Sequence, residues 1–421
     1  MNKNEPHNLT RMEWKNKSNR IAENLTLVIF FLIPTYLLKI KYGWFSVNML
    51  ELLIIAAVLI WVSSRLLRKD LRIRSWWFFE KKTYAFLISV ILAGVILSIL
   101  YNKNYYSGLG ALKGWFVVPL LFSALYFDLI KRNRAIIKQS FRALFLSGSV
   151  TAFVGLGYWF SNNLTYDGRL KMFYNSPNEL AMYLSVILLV SMALLLEARK
   201  RSEKVIIIFG IALLLVSLLL TFSFAAWAGA AVSLGVMAFL LAPRKLPVAV
   251  WIFAATLTLL LLSQTANEKI NNLFLKNGRS SLDSRIQIWK SSGAMIKNSP
   301  IFGIGPANFQ ERYLEYQKYF PPYLEWAVPQ PHNLFLAFWL EAGVLGLVGF
   351  IGLIIKFFKD NKKAIVNNRL AAALCASTIV YYLAHGLLDT TYWRNDMAIL
   401  FWMFIALNFY LSGSKTGSAG E

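Results

Sequence analysis

Two residue types could support polar chemistry outside the apolar runs of this chain. Histidine exchanges a proton near neutral pH, and the planar guanidinium of arginine donates two parallel hydrogen bonds to phosphate or carboxylate oxygens. The sequence holds three histidines, His7, His332 and His385, and polar segments between the apolar runs carry Arg169 and Arg285. A site built from these side chains depends on the elements that bring them together, which the composition and the spacing of apolar residues predict.

The composition is typical of an all-α, polytopic membrane protein. Of the 421 residues, 57% are apolar and 15% are charged, whereas a soluble domain averages roughly 45–50% and 25%. Leu25–Leu38, Val205–Phe222 and Val248–Ser263 are uncharged runs too long for ordinary core helices.

The net charge of +23 would suggest nucleic acid in a soluble protein. Here the basic residues gather in alternate loops, as the positive-inside rule requires, so no nucleic-acid partner is expected. The single cysteine, Cys375, excludes an intramolecular disulfide.

The apolar runs predict about twelve transmembrane helices, each of roughly 17–24 residues. Because Lys and Arg are concentrated in the short loops on one side, both termini are predicted to be cytoplasmic. The predicted organisation is a cytoplasmic leader at 1–24, transmembrane helices 1–9 within 25–263, a large outward loop at 264–331, transmembrane helices 10–12 within 332–411 and a disordered cytoplasmic tail at 412–421. The predicted spans are 22–39, 46–64, 83–100, 109–127, 143–160, 178–196, 205–222, 224–242, 247–263, 332–355, 369–386 and 397–411.

The outward loop 264–331 is predicted to contain short amphipathic helices. One of them covers about 283–298 and could lie on the membrane surface. Its predicted apolar stripe is Ile286, Trp289, Gly293 and Ile296. The turn at 329–331 then brings His332 and Asn333 to the start of the tenth span.

No cofactor and no metal ion are predicted. The outward loops contain neither an Asp-x-Asp pair nor a His/Glu cluster with the spacing of metal ligands. The cytoplasmic loops are short and basic and have no Gly-rich phosphate cradle, which argues against ATP-driven chemistry. The pair Gly303-x-Gly305 lacks a third glycine and a preceding strand, so it is not a dinucleotide fingerprint.

Several ordered motifs resemble the O-antigen ligase/polymerase family. In the second half of the chain they are Ser284-Arg285-x-x-x-Trp289, Pro300-Ile-Phe-Gly303-Ile-Gly305-Pro306-x-Asn308-Phe309, Pro331-His332-Asn333-x-Phe335 and Glu341-x-Gly343-x-x-Gly346. Upstream, Gly168-Arg169-Leu170 and Asn175-x-Pro177-Asn178-x-Leu180-Ala181 resemble the other outward loop of that family. The chain departs from the family at Phe224, which follows Ser223 where members often carry an arginine.

The resemblance implies a glycosyltransferase with a GT-C-like fold in the bacterial inner membrane, and it makes the outward side periplasmic. Such enzymes move a glycan from undecaprenyl pyrophosphate to an acceptor hydroxyl, which lies on lipid A-core for ligases and on another lipid-linked repeat unit for polymerases. The chain is most similar to the ligases. The partners implied are the undecaprenyl-pyrophosphate-linked glycan donor, a lipid A-core or other glycan acceptor, and membrane lipids.

The resemblance also implies roles for particular residues. A leaving pyrophosphate needs fixed cations, and Arg169 and Arg285 are the matched arginines. An acceptor hydroxyl needs a base, and His332 is the matched histidine, although it could instead orient the acceptor. Glu341 is expected to face the protein interior with a partner, because a charge in mid-span is costly. The secondary candidates are Asn178, Asn333, Glu341, His385, Asp389 and Arg394.

Two alternatives remain at this point. A polymerase of the same family shares these motifs. A transporter of lipid-linked glycan belongs to another class, which predicts interrupted helices in two corresponding halves and ionisable groups near the midplane. The two halves of this sequence look unlike each other, and its spans are nearly free of charge.

The lack of metal-ligand spacing predicts glycan transfer without a divalent ion. Purified protein supplied with lipid-linked donor and acceptor should keep its full transfer rate in excess chelator. The measurement is product formation with and without chelator. A rate that is lost in chelator and restored by magnesium or manganese would contradict this prediction.

Overall fold

The computed structural model describes residues 19–43, 45–67, 76–242, 281–321 and 327–413. Within these ranges the chain is almost entirely helical, which confirms the all-α prediction. The strands described are Lys39–Tyr42 (β1) and Phe45–Asn48 (β2), which form an antiparallel hairpin that pairs Lys39 with Asn48. The tail beyond 413, residues 1–18 of the leader and the span predicted at 247–263 lie outside the described residues. The last residues of the predicted leader are already helical, from residue 19.

Fifteen α-helices are labelled here in chain order over the described ranges. They are α1 (19–31), α2 (Met49–Leu67), α3 (Trp77–Glu80), α4 (Lys82–Asn102), α5 (Tyr105–Leu112), α6 (Val118–Arg132), α7 (Ala135–Phe160), α8 (Pro177–Glu197), α9 (Arg201–Leu220), α10 (Phe224–Leu241), α11 (Ser281–Asn298), α12 (Phe309–Tyr316), α13 (Leu334–Asn367), α14 (Arg369–Gly386) and α15 (Asn395–Gly413). Short 3₁₀ segments cover Ile33–Leu37 and Gln317–Tyr319, and a π-helical segment covers Lys113–Val117.

Nine helical stretches in the described ranges are long and apolar enough to cross a membrane. They contain α2, α4, α5 with α6, α7, α8, α9, α10, α13 and α15, which confirms a polytopic membrane protein. The span predicted at 369–386 coincides with α14, and the span predicted at 22–39 overlaps α1 only to residue 31 and continues into the 3₁₀ segment Ile33–Leu37. Neither α1 nor α14 is among these nine.

The chain divides into two compact units. The first consists of Met1–Ala85, Lys113–Ser223 and Arg394–Gly413, and the second of Phe86–Leu112, Phe224–Trp393 and Ser414–Glu421. In the first unit α15 packs against α6, and the ring of Phe409 lies 5.7 Å from that of Trp77 and 5.6 Å from that of Phe127. In the second unit α10 packs along α14, and α13 also contacts α14. In a membrane, where lipid is as apolar as the helix surfaces, close packing of this kind contributes to the association of helices.

The helix α13 is broken at Gly343, which the sequence did not predict. Gly343 has φ +66° and ψ −177°, a backbone conformation that residues other than glycine rarely adopt. The turn that precedes α12 fills the break: Ile304 donates its backbone N–H to the carbonyl of Leu340 at 2.7 Å, and Val344 donates to the carbonyl of Ile301 at 3.0 Å. These bonds tie the Gly303–Pro306 motif to the Glu341–Gly346 motif, so both glycine-rich motifs serve to join backbone segments.

The stripe predicted for α11 is wrong in register. The residues of α11 that are buried include Ser284, Ile288, Ser292 and Met295, whereas Ile286 is 38% exposed. Ser292 can be buried because its hydroxyl donates to the carbonyl of Ile288. A polar residue therefore occupies a position on the buried face of the helix. This face packs on a core shared with α12 and α13, and Trp289 packs against the edge of that core.

The break predicts that Gly343→Ala is destabilising. A Cβ at this position would lie 2.3 Å from the carbonyl oxygen of Ile301, and an alanine at positive φ adds strain of about 1–3 kcal/mol. The matched control is Gly235→Ala on α10, where a Cβ meets nothing within 4 Å and alanine favours the helix. Thermal unfolding in detergent should show a lower midpoint for the first variant only. Equal midpoints for both variants would contradict the role given to Gly343.

Candidate active site

His332 lies two residues before the start of α13. Its backbone has φ +47°, a left-handed conformation that costs about 1–3 kcal/mol unless the surroundings enforce it. Asn333, the next residue, caps α13, because its side-chain oxygen accepts the N–H groups of Phe335 and Leu336, both at 3.0 Å. The side chain of His332 is 28% exposed, so it is held in place and still accessible.

The imidazole of His332 is paired with Asp389. Nδ1 of His332 lies 2.8 Å from Oδ1 of Asp389, whose side chain is only 4% exposed. Burial alone would raise the pKa of Asp389, but His332, His385 and Arg285 together hold that pKa well below its ordinary value. The carboxylate therefore stays ionised and can only accept a hydrogen bond. It follows that neutral His332 carries its proton on Nδ1 and has a free lone pair on Nε2.

Three successive residues after α14 receive three polar side chains. The carbonyl of Leu387 accepts from Asn333 Nδ2 at 3.0 Å, the carbonyl of Leu388 accepts from Arg285 Nε at 2.6 Å, and Asp389 bonds His332. This short segment thus fixes an arginine and a histidine from different elements within one cluster. Of the predicted site residues, the structure brings together Arg285, His332, Asn333, His385 and Asp389.

The packing of α11 places Arg285. Ile288 and Met295 of this helix are buried in the core shared with α12 and α13. Trp289 donates its indole N–H to the carbonyl of Pro331 at 3.1 Å, one residue before His332. The helix that carries Arg285 and the turn that carries His332 are therefore linked to each other as well as to the 387–389 segment.

His385 has a different environment from His332. It is fully buried near the end of α14, and its Nδ1 lies 2.8 Å from the hydroxyl of Tyr381. A Cβ at Gly229 would lie 2.9 Å from the Cβ of His385, so α10 packs directly against this histidine. His385 contributes to the electrostatic field at Asp389 but presents no exposed ring to a substrate.

Glu341 lies beside the break in α13. It is 1% exposed, and its Oε2 accepts the backbone N–H of Ala307 at 3.3 Å. It therefore faces the protein interior, as expected, and the hydrogen-bond partner described is a backbone amide of the turn that fills the break.

Arg169 and Asn178 belong to the first unit. Arg169 donates from Nη2 to Oδ1 of Asn178 at 2.7 Å and from Nε to the carbonyl of Thr221 at 2.8 Å. Asp167 lies 3.9 Å from its Nη1. Arg394, the remaining secondary candidate, is also in this unit and makes a two-pronged ion pair with Asp396.

Sequence reasoning missed the groups that hold the arginines. The carbonyls of Thr221 and Leu388 carry no signal, because every residue has a carbonyl. Asp389 was a secondary candidate, and only the fold identifies it as the partner of His332.

In the described ranges, no group of three His, Cys, Asp or Glu side chains is arranged to hold a metal ion. Independence of the reaction from metal stays a prediction.

Comparison with known proteins yields a family model that matches part of the chain. The class that the fold defines is a polytopic, all-α membrane protein with a polar histidine–carboxylate–arginine cluster. The family model described as O-antigen ligase matches residues 209–351, about a third of the chain, and bears out the predicted resemblance to the O-antigen ligase/polymerase family. The match includes Arg285, His332 and Glu341 and ends before Asp389. A search of curated proteins finds no match.

The hydrogen bond to Asp389 predicts the tautomer of His332. In protein labelled with ¹⁵N-histidine, and at alkaline pH where imidazole is neutral, His332 should show a protonated Nδ1 and an unprotonated Nε2. Asp389→Asn should shift the proton towards Nε2, because an amide can donate to Nδ1. Glu311→Gln, which changes an exposed carboxylate on α12, is the control and should leave the signals unchanged. A protonated Nε2 in the parent protein would refute the assignment.

Proposed function

We propose that this protein is an O-antigen ligase-type glycosyltransferase that moves a glycan from undecaprenyl pyrophosphate to a sugar hydroxyl of lipid A-core. The observation that carries the proposal is the 387–389 segment, which fixes Arg285 and His332 in one cluster. A cation for a leaving phosphate and a base for an attacking hydroxyl are what the reaction requires.

The proposed step is a direct displacement at the anomeric carbon. The acceptor oxygen forms a bond to that carbon while the bond from the carbon to the pyrophosphate oxygen breaks. The acceptor proton passes to Nε2 of His332, and the resulting imidazolium is stabilised by the Asp389 carboxylate. The bonding electrons leave on the pyrophosphate, whose oxygens bind the guanidinium of Arg285. Atoms and charge balance in this step without a metal ion.

Arg169 is proposed as a second ligand of the pyrophosphate. Its guanidinium is oriented by the carbonyl of Thr221 and the amide oxygen of Asn178, and the carboxylate of Asp167 lies 3.9 Å from its Nη1. We further propose that the protein lies in the bacterial inner membrane with both termini in the cytoplasm and with the site on the periplasmic side. This orientation rests on the distribution of Lys and Arg over the loops.

Transport of a lipid-linked glycan is the alternative from another class. The break in α13 favours it, because transporters bind substrates at interrupted helices. Against it, the backbone groups at the break are occupied by the turn at 301–304. Proteoliposomes separate the two functions. Movement of the lipid-linked glycan across the bilayer without a new glycosidic bond would support transport, whereas a new bond on the acceptor supports transfer.

Deletion of the gene in its host separates ligase from polymerase. If the protein is a ligase, the core carries no long glycan chains on a gel. If it is a polymerase, the core carries a single repeat unit, and the proposed acceptor is wrong.

We predict that Arg285→Ala and Arg169→Ala each lose most transfer activity while the protein still inserts. Lysine at either position should restore little, because a point charge cannot reproduce the paired hydrogen bonds of a guanidinium. The matched control is Arg312→Ala on α12, an arginine that is 41% exposed and pairs with Glu315 in the same outward segment. Transfer by purified protein is the measurement. Full activity in either variant at 169 or 285 would remove that arginine from the site.

His332→Ala should lower the transfer rate by about 10²–10⁴-fold and leave donor binding nearly intact, because a general base contributes that much to the rate. His385→Ala should lower the rate by less than about tenfold once the folded fraction is taken into account. If His332→Ala instead loses donor binding in proportion to its activity, the histidine is a phosphate ligand. If it stays active, the histidine is structural.

A further inference from the structure

Arg394 lies in the first unit, immediately before α15, and is almost completely enclosed. It is 8% exposed, and its Nε and Nη2 donate to the two oxygens of Asp396, both at 2.7 Å. Its guanidinium carbon lies 5.7 Å from the ring centres of Tyr36 and of Tyr174. Its Nη1 lies 3.7 Å from Oε2 of Glu179. Two carboxylates and two aromatic rings therefore surround one arginine, which cannot offer its charge to an outside anion.

Glu179 connects this enclosed arginine to the first turn of α8. Its backbone N–H donates to the hydroxyl of Ser176, the residue that caps the helix, at 3.2 Å. Its carboxylate accepts from Asn175, at 3.3 Å from the backbone N–H and at 3.0 Å from Nδ2. Glu179 thus fixes both the start of α8 and the end of the loop that leads into it.

Arg169 depends on the same turn of α8. Its Nη2 donates to Oδ1 of Asn178, the residue next to Glu179, at 2.7 Å. Glu179 also binds Asn175, in the part of the loop that joins Arg169 to α8, so the acceptor Asn178 and this stretch of chain both connect Arg169 to the first turn of α8. The carbonyl of Thr221 and the hydroxyl of Thr165 hold Arg169 from other elements. A small displacement of a group that binds a reacting molecule is costly, because about 1 Å can reduce a rate by about 10²-fold.

We propose that Glu179, anchored by the Arg394–Asp396 ion pair, is a positioning residue for Arg169 in the binding of pyrophosphate. The proposal rests on the role of Arg169 proposed above. Arg394 and Glu179 do not touch the substrate. They fix the first turn of α8, and through Asn178 this turn aims the guanidinium of Arg169.

A thermodynamic cycle tests this proposal with undecaprenyl pyrophosphate as the probe. The variants are Glu179→Gln, Arg169→Ala and the double variant, and the measurement is the dissociation constant of the probe in detergent. Glu179→Gln should weaken binding by about tenfold in the parent protein, because coupled neighbours interact on this scale. In the Arg169→Ala background the same change should weaken binding no further.

The matched control is Glu203→Gln. Glu203 occupies the third position of α9, as Glu179 does in α8, and pairs with Arg142 at 2.6 Å. The exposed fractions of the two glutamate side chains are also close, 26% and 24%. Removing this ion pair should leave binding unchanged in both backgrounds.

The outcomes separate the two proposals. If Arg169→Ala binds the probe as the parent does, Arg169 is not a pyrophosphate ligand and the proposal of the previous section fails at that residue. If Arg169→Ala is weakened but Glu179→Gln is not, or if Glu179→Gln weakens both backgrounds equally, only the positioning role is overturned. Should Glu179→Gln fail to fold, Asn178→Ala removes the acceptor of Arg169 directly and must show the same dependence on the background; equal weakening in both would overturn the proposal.

Discussion

The backbone groups freed where α13 breaks must find partners, and this requirement organises the second unit. In a helix that crosses a membrane, an unsatisfied N–H or carbonyl costs several kcal/mol. The turn at 301–304 supplies both partners by bonding Leu340 and Val344. Because this turn directly follows α11, satisfying the break also sets the end of the helix that carries Arg285. Asn333 caps the start of the same helix, directly after His332, so α13 takes part in placing both the arginine and the histidine.

The electrostatics of the cluster follow from one carboxylate. Asp389 is buried, and an isolated buried carboxylate would become neutral. The cations and the histidines around it instead keep it ionised. An ionised partner makes Nδ1 of His332 a donor, which leaves Nε2 of the neutral ring as an acceptor. The contact with Asp389 thus supports the role of base proposed for His332.

Sequence patterns predicted the parts of this protein that depend on residue type. Long apolar runs identified the spans, and the motif residues identified Arg285 and His332, because a charged or titratable side chain stands out in an apolar chain. The patterns failed where the structure depends on backbone conformation or on contacts between distant residues. Nothing in the amino-acid sequence of α13 showed that Gly343 breaks the helix rather than packing against a neighbouring helix. The stripe of α11 was misplaced because buried serines satisfy their hydroxyls within the helix. The pairing of Asp389 with His332 joins residues 57 positions apart, a separation that a single sequence does not reveal.

The partners of the three candidate arginines distinguish their roles. Arg285 donates to the carbonyl of Leu388, and Arg169 donates to the carbonyl of Thr221 and to the amide oxygen of Asn178. The hydrogen bonds described for these two arginines thus go to neutral acceptors, while the carboxylate of Asp167 lies 3.9 Å from Arg169. Arg394 is bound by the carboxylate of Asp396 at both oxygens and faces a second carboxylate, Glu179. An arginine whose charge is already matched, and which is buried between two aromatic rings, gains little from an incoming anion. Its contribution is therefore rigidity, and the residues it holds rigid are those at the start of α8, next to Arg169.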